Sequence, residues 1–279
     1  MGISVMNQSS YTFLPVGRCI YCGITDGKLR KEHVIPYGLG GVVILPKASC
    51  VYCERITGPL EQTIQRTMLG NFRISLGLPT RNPKQRPQNL EIHLLKNGRV
   101  EKTNISASEI PLMCAVPQLP PPRVVQGLPP TSKLDYAVVA IYTDAVRKKF
   151  IATHGEGVVI NPIDIFIFLR FLAKVAHSYA VALRGMGGFQ PLLSDIILGK
   201  PEVLCSELFQ LIGGGMNLPS KLLSDPQSLP LHHLEIHHCE ASGTKFLIVS
   251  IQLFCFLNTP TYDVVVGIDN AKNVAPGEG

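Results

Sequence analysis

The sequence predicts a mixed α+β protein, in which a small zinc-stabilised module precedes a larger α+β domain with antiparallel strands and one long apolar helix. Two Cys-x-x-Cys pairs near the N-terminus predict the zinc module. A strongly apolar run over residues 161–183 predicts the long helix. Segments rich in Val, Ile and Phe over residues 231–239, 245–257 and 262–268 predict an antiparallel meander at the end of the chain.

The length of 279 residues allows one or two domains, and a content of 46% hydrophobic and 16% charged residues is that of a globular chain. The predicted divisions are a zinc module over residues 1–80, a Pro-rich linker with a hairpin over 81–130, and an α+β domain of unassigned role over 131–279. The N-terminus has no basic leader with an apolar core, so no secretory signal is expected. Four further cysteines in apolar contexts fit free thiols in a reducing cytoplasm.

Positive charge is concentrated at the N-terminal end. Through Arg86 the chain has 11 Lys and Arg against four Asp and Glu, whereas the rest has 15 against 16. A basic segment of this kind favours a polyanionic partner such as nucleic acid. The alternative is that a small zinc module simply has a solvated basic face.

The two Cys-x-x-Cys pairs are Cys19/Cys22 and Cys50/Cys53, with 27 residues between the inner cysteines. Such pairs direct four thiolates at one ion, and a closed four-sulfur site leaves no open position, which is typical of structural zinc. The alternative is a thioredoxin-like redox pair, but a redox pair needs no second copy and belongs beside a βαβ pattern that is absent here. Structural zinc is therefore the expected cofactor of these four cysteines.

Between the pairs lie Glu32-His33-Val34-Ile35-Pro36 and the Gly-rich turn that ends in Gly40-Gly41. This order of residues resembles the HNH endonuclease family, in the variant whose ββα-metal core is pinned by a four-cysteine zinc site. The resemblance covers about residues 15–80. It implies strands over residues 29–35 and 42–45 and a helix that begins at the second cysteine pair. Gly58-Pro59 is expected to interrupt that helix, and a further helix is expected over residues 60–76.

The resemblance also implies a catalytic site. His33 would be the general base that takes a proton from the attacking water, and Glu32 would be a ligand of a catalytic Mg²⁺ or Mn²⁺. Glu54 stands where the family normally has Asn as second ligand, directly after the last cysteine. The alternatives are that Glu32 is a solvated strand residue and that His33 is a packed core histidine.

The expected partner is nucleic acid, with DNA favoured, contacted by Arg30, Lys31, Lys47 and Arg55. No membrane partner is expected, and residues 131–279 could supply contacts for a homo-oligomer. The expected function is a metal-dependent HNH-type endonuclease. The alternative is a catalytically inactive, zinc-stabilised module for nucleic-acid binding or protein interaction.

The rest of the chain carries weaker signals. A hairpin is predicted over residues 90–100, irregular structure over 111–130, strands over 136–142, 149–153 and 158–160, and helical structure over 192–215. On the long helix the spacing puts Arg170, Lys174, His177 and Arg184 on one face, which is either a solvated edge or a phosphate-facing groove. His232, His233, His237 and His238 alternate along a predicted strand, so they do not converge into a metal site.

Overall fold

The computed structural model describes residues 10–96, 98–110, 112–142, 144–154, 163–200, 207–216 and 230–269. The prediction that the chain has no secretory signal rests partly on residues 1–9, which lie outside the described residues. In chain order the strands and helices are β1 Tyr11–Thr12, β2 Leu29–His33, β3 Val43–Cys50, α1 Val51–Arg66, α2 Gly70–Ser75, β4 Asn89–Lys96, β5 Arg99–Ser106, β6 Met113–Gln118, β7 Ala137–Tyr142, α3 Asp144–His154, α4 Ile165–Arg184, β8 Phe189–Pro191, α5 Ser194–Leu198, α6 Leu208–Leu211, β9 Ile212–Gly214, β10 His232–Ala241, β11 Thr244–Leu253 and β12 Thr261–Asp269.

The N-terminal part is a small sheet followed at once by a helix. Strands β2 and β3 pair antiparallel, with His33 opposite Ile44, and β1 adds in parallel on the other side of β3. A short 3₁₀ turn, Tyr37–Leu39, lies between β2 and β3. Because α1 begins directly after Cys50, the chain runs strand, turn, strand and helix within 38 residues, from Leu29 to Arg66.

Helix α1 continues through Gly58-Pro59, so the predicted interruption is wrong. Proline removes one backbone hydrogen bond from a helix interior, and this loss is offset here by burial. Cys53, Thr57, Leu60 and Ile64 follow at helical spacing and are all buried on one face of α1. The break lies instead at Thr67, after which the separate short helix α2 begins at Gly70.

Helix α4 is the central helix of the fold. Asp164 caps its first turn by accepting a hydrogen bond from the backbone N–H of Ile167 at 3.0 Å, and the helix ends at Arg184, directly before Gly185. By length and composition α4 could cross a membrane, but 72% of its apolar window is buried inside the structure. It is therefore a core helix here, as its packing against β11 and β12 also indicates.

The C-terminal sheet confirms the predicted antiparallel meander. Its strand order is β10-β11-β12-β8, and β9 also pairs with β12. Strand β11 lies between β10 and β12 and is almost entirely buried, which explains its nearly continuous apolar sequence.

One hydrophobic core joins the two ends of the chain. It includes Leu45 and Leu60 from the N-terminal part together with Phe168 of α4 and Val264 of β12. The divisions at residues 80 and 130 stay a prediction, but the packing is continuous across them.

In the described residues of the middle of the chain, two pairs of antiparallel strands form, β4–β5 and β6–β7. The predicted hairpin is confirmed as β4–β5, and its Ile92 and Leu94 pack with Phe150 of α3 in a separate small cluster. The strand predicted over residues 149–153 is wrong, because these residues belong to α3, whose Phe150 packs on the hairpin from a helix. Strand β6 lies in the segment predicted to be irregular, and the strand predicted over 158–160 lies outside the described residues.

Candidate functional site

The four predicted cysteines lie together. The sulfurs of Cys19, Cys22, Cys50 and Cys53 are all within 4.8 Å of one another, and those of Cys22 and Cys50 are 3.7 Å apart. Zinc–sulfur bonds of roughly 2.3 Å in a tetrahedron place sulfurs roughly 3.8 Å apart, so this set fits one zinc ion. Among the described residues it is the one group of three or more His, Cys, Asp or Glu placed to hold a metal ion.

Local backbone structure produces this cluster. The first pair lies in a tight turn, in which the N–H of Gly23 bonds to the carbonyl of Cys19 at 2.9 Å and Gly23 has a φ of 77°. The second pair straddles the start of α1, where the Cys50 sulfur accepts a hydrogen bond from the N–H of Cys53 at 3.4 Å. Strand β3 therefore delivers Cys50, and the first turn of α1 delivers Cys53.

His33 lies at the end of β2 and is half-buried. Burial, followed by the positive charges of Lys31, Lys174 and Arg81, lowers the pKa of the His33 imidazole to about 4. A proton on this ring would add to a cluster of like charges, so the ring is neutral at pH 7. His33 is thus partly exposed and is not a fully packed core residue. Its ring is neutral, which is the form of imidazole that can accept a proton.

Glu32 points into the protein, which excludes the solvated-strand interpretation. Its Oε1 lies 2.6 Å from the Nζ of Lys174, which reaches it from α4. The same Nζ lies 2.6 Å from Oε1 of Glu61 on α1 and donates a hydrogen bond to the backbone carbonyl of His33. Two carboxylates and one ammonium group therefore meet beside His33, in what we call the Lys174 cluster: Lys174 and Glu32, which are buried, and Glu61, which is partly exposed.

The protonation tendencies of the Lys174 cluster follow from its charges. Burial acts to lower the pKa of Lys174, but Glu32 and Glu61 together raise it above its ordinary value. Burial and the neighbouring Glu61 raise the pKa of Glu32, and Lys174 opposes this rise. Lys174 therefore remains an ammonium ion that neutralises part of the negative charge.

The residues predicted to hold a catalytic divalent ion do not fit one in this structure. Glu32 is engaged by a buried ammonium group, as described above. Glu54 forms an ion pair with Arg30, with 2.7 Å between Oε2 and Nη1. An ion bound by Glu32 would have to displace the buried ammonium group, and among the described residues neither Glu32 nor Glu54 belongs to a group of three or more His, Cys, Asp or Glu placed to hold a metal ion.

Helix α4 also contacts the first cysteine pair. The Nε2 of the fully buried His177 lies 2.7 Å from the carbonyl oxygen of Ile20, and Ser178 lies within hydrogen-bond distance of the hydroxyl of Tyr21 at 3.4 Å. With Lys174, three residues on one face of α4 thus hold the segment that carries the candidate site. The prediction of an exposed basic stripe is wrong, because Lys174 and His177 have no solvent exposure.

The other two members of the predicted stripe also bind protein groups. Arg170 donates hydrogen bonds to the carbonyls of Ile196 and Ile197, at the end of α5, and Arg184 pairs with Asp269 at 3.1 Å. Neither a solvated edge nor a phosphate-facing groove describes this face of α4.

Acidification is expected to destabilise the fold through two histidines, the fully buried His177 and the half-buried His232. Burial lowers the pKa of both His177 and His232 from 6.5 to about 4. The unfolded chain therefore binds more protons between those values, so stability is complete above pH 6.5 and is lost as the pH falls towards 4. From pH 7.5 to 5.5 each histidine should reduce the free energy of unfolding by roughly 1 kcal/mol. Urea unfolding of the wild type and of His177→Gln, with zinc content checked at each pH, should show a shallower pH dependence in the variant; equal slopes would contradict this assignment.

The predicted nucleic-acid contacts divide into two groups. Lys31 is exposed beside His33, and Lys47 and Arg55 are also exposed. Arg30 is also exposed, but it pairs with Glu54. Other basic side chains fix the protein itself, such as Arg73, whose Nε donates to the carbonyl of Gly38 at 2.9 Å in the Gly-rich turn.

Sequence reasoning missed Glu61, Arg81 and the role of Lys174. A lysine inside an apolar helix is a signal that a buried acidic partner exists, but the spacing does not say which acid it is. The four histidines predicted on one strand lie along β10, and the Nε2 of His232 lies 2.8 Å from the carbonyl oxygen of Leu39.

Comparison of the chain with known protein families, with curated proteins and with solved structures gave no match. The candidate site is therefore defined by the geometry of its own residues.

Proposed function

We propose that the protein is an HNH-type endonuclease that hydrolyses phosphodiester bonds in nucleic acid, with DNA favoured, and that His33 is its general base. The observation that carries the proposal is the position of His33. It is a neutral, half-exposed histidine at the end of a strand, in a strand–turn–strand–helix unit closed by four cysteines. This is the order of elements that the sequence resemblance implies.

In this proposal the zinc is structural. Four thiolates saturate a tetrahedral ion, so the metal has no open position for substrate. Its contribution is to fix the first cysteine turn against the start of α1, and thereby to support the β2–β3 strands between them. A unit of this size buries too little surface to be stable without such a link or without the packing of α4.

His33 would act by accepting a proton from water as the water oxygen bonds to phosphorus. The bond between phosphorus and the leaving sugar oxygen would break, and that oxygen would take a proton from solvent. A neutral imidazole can accept this proton at pH 7. Lys31 and Arg81, which act on the His33 ring electrostatically, would face the negative charge of a phosphate bound beside it. Exposed Lys47 and Arg55 would add to the attraction of a polyanion.

The proposal is tested by cleavage of supercoiled plasmid, single-stranded DNA and RNA by zinc-loaded wild type and His33→Ala, each with and without added Mg²⁺ or Mn²⁺. We expect the loss of a general base to slow cleavage by about a hundredfold or more. His93→Ala is the matched control, because His93 lies on β4 in another sheet and should retain activity. Equal cleavage by wild type and His33→Ala would reject His33 as the base.

A second candidate function, a zinc-stabilised nucleic-acid-binding module without cleavage, is favoured by one observation. Both carboxylates expected near the base are paired with cations, Glu32 with Lys174 and Glu54 with Arg30. This candidate predicts no turnover with any nucleic acid or metal, but binding that weakens steeply as salt is raised. Fluorescence anisotropy over a salt series, run beside the cleavage assay, separates the two functions.

A further inference from the structure

The Nζ of Lys174 is surrounded by oxygen atoms of the N-terminal part of the fold. Oε1 of Glu32 and Oε1 of Glu61 each lie at 2.6 Å, the carbonyl oxygen of Val34 lies at 3.5 Å, and the carbonyl oxygen of His33 accepts a hydrogen bond. Lys174 has no solvent exposure. A single positive charge therefore sits at the centre of two carboxylate and two carbonyl oxygens, out of contact with water.

This set of atoms is the kind that binds a hard cation. Mg²⁺, Mn²⁺ and Ca²⁺ prefer carboxylate and carbonyl oxygens, and an ammonium group is a compact positive charge that satisfies the same atoms. The two cations exclude each other, because they need the same oxygens and repel one another. While Lys174 is in place, a divalent ion cannot occupy the position between Glu32 and Glu61.

The cluster also determines where the base lies. Lys174 binds the side chain of Glu32 and the backbone carbonyls of His33 and Val34, which are three consecutive residues. It comes from α4, about 140 residues further along the chain, so the position of the His33 main chain depends on the C-terminal part of the fold.

We propose that Lys174 is a positioning residue that takes the place of a divalent ion at Glu32 and fixes the main chain of His33. The role in catalysis rests on the proposed nuclease function, whereas the exclusion of a divalent ion does not. The C-terminal part of the chain thus supplies, through Lys174, the positive charge that contacts Glu32 and the carbonyl of His33.

The first test is Mn²⁺ binding to the zinc-loaded full chain, measured by the loss of the electron paramagnetic resonance signal of free Mn²⁺. Wild type and Glu32→Gln are expected to give the same binding curve, because Glu32 is not available to the ion. Mn²⁺ binding by wild type that Glu32→Gln weakens would overturn the proposal.

The second test removes only the ammonium group. Lys174→Met keeps the length of the apolar stem and leaves the position of Nζ open between the four oxygens. We expect this variant to bind one Mn²⁺ at least about tenfold more tightly than wild type, and to lose that binding when Glu61→Gln is added. A folded Lys174→Met protein that gains no Mn²⁺ site would overturn the proposal. If the variant is unfolded, Mn²⁺ should restore its circular dichroism spectrum, and failure to do so would count equally against it.

The positioning role has its own measurement. The imidazole NMR signals of His33 should shift in Lys174→Met and return towards their wild-type positions when Mn²⁺ fills the site. If Lys174 only filled space, its replacement by methionine would leave His33 in place. Unchanged His33 signals in Lys174→Met would therefore reject the positioning role. Neither Mn²⁺ binding nor the His33 NMR signals depend on nuclease activity. An absence of cleavage by the wild type would therefore reject the proposed function without deciding whether Lys174 excludes a divalent ion.

Discussion

Replacement of Cys53 by serine is expected to remove zinc from the protein and to unfold its N-terminal part. Cys53 is fully buried, and its sulfur lies within 4.8 Å of those of the other three cysteines. Structural zinc in small modules contributes on the order of 10 kcal/mol of binding free energy, and this becomes folding free energy because the unfolded chain has no preformed site. The loss of one thiolate should therefore reduce stability by at least several kcal/mol. Native mass spectrometry and urea unfolding measure the two effects.

Cys255→Ser is the matched control for this experiment. Cys255 is also buried, but it lies outside the four-cysteine cluster, near the carbonyl of Gln252 at 3.5 Å. It should keep one zinc per chain and lose little stability. A Cys53→Ser protein that retains one zinc and wild-type stability would show that Cys53 is not a ligand of structural zinc.

The parts of the fold and site that the sequence predicted depend on local patterns. The spacing of Cys19, Cys22, Cys50 and Cys53 identifies the metal cluster because each pair is fixed by its own turn. The β4–β5 hairpin and the C-terminal meander follow from turns and alternation within short segments. The position of His33 at the end of a strand also follows from its neighbours in the sequence.

The parts that the sequence did not predict depend on contacts between distant residues. Periodicity places Lys174 and His177 on one face of α4, but it cannot say that this face packs against the segment of residues 20–34. Because α4 is buried on most sides, a stripe of ionisable residues indicates internal pairing and not a solvated face. The partner acids, Glu32 and Glu61, come from two other elements and have no spacing relation to Lys174.

Pro59 is a second case in which contacts between distant residues override a local sequence signal. Its missing N–H predicts a break, yet α1 continues, because the apolar residues on either side of the proline pack on one face. The cost of one hydrogen bond is local, whereas the gain from burying that face depends on what lies opposite it.

A comparison of two glycines should show a large difference in stability between the turn before β3 and the middle of α1. A Cβ added at Gly41 would lie 1.8 Å from the carbonyl oxygen of Ile35 and 2.5 Å from its carbonyl carbon. Both are backbone atoms, so the clash can be relieved only by moving the end of the segment that carries His33. Gly41→Ala should therefore cost at least about 3 kcal/mol of unfolding free energy, at the upper end of the range for overpacked sites.

Gly58→Ala supplies the opposite case on the same module. Apart from its two chain neighbours and the nearby backbone of α1, nothing lies within 4 Å of the position that its Cβ would occupy, and Gly58 is inside α1. Alanine has the higher helix propensity, but its Cβ meets the ring of Pro59, so this variant should change the free energy of unfolding by less than about 1 kcal/mol. Urea unfolding of both variants gives the two values, and similar stabilities would show that the turn is looser than its backbone contacts indicate. A folded Gly41→Ala protein should also cleave or bind nucleic acid less well than Gly58→Ala, because its altered turn displaces His33 and the cations beside it.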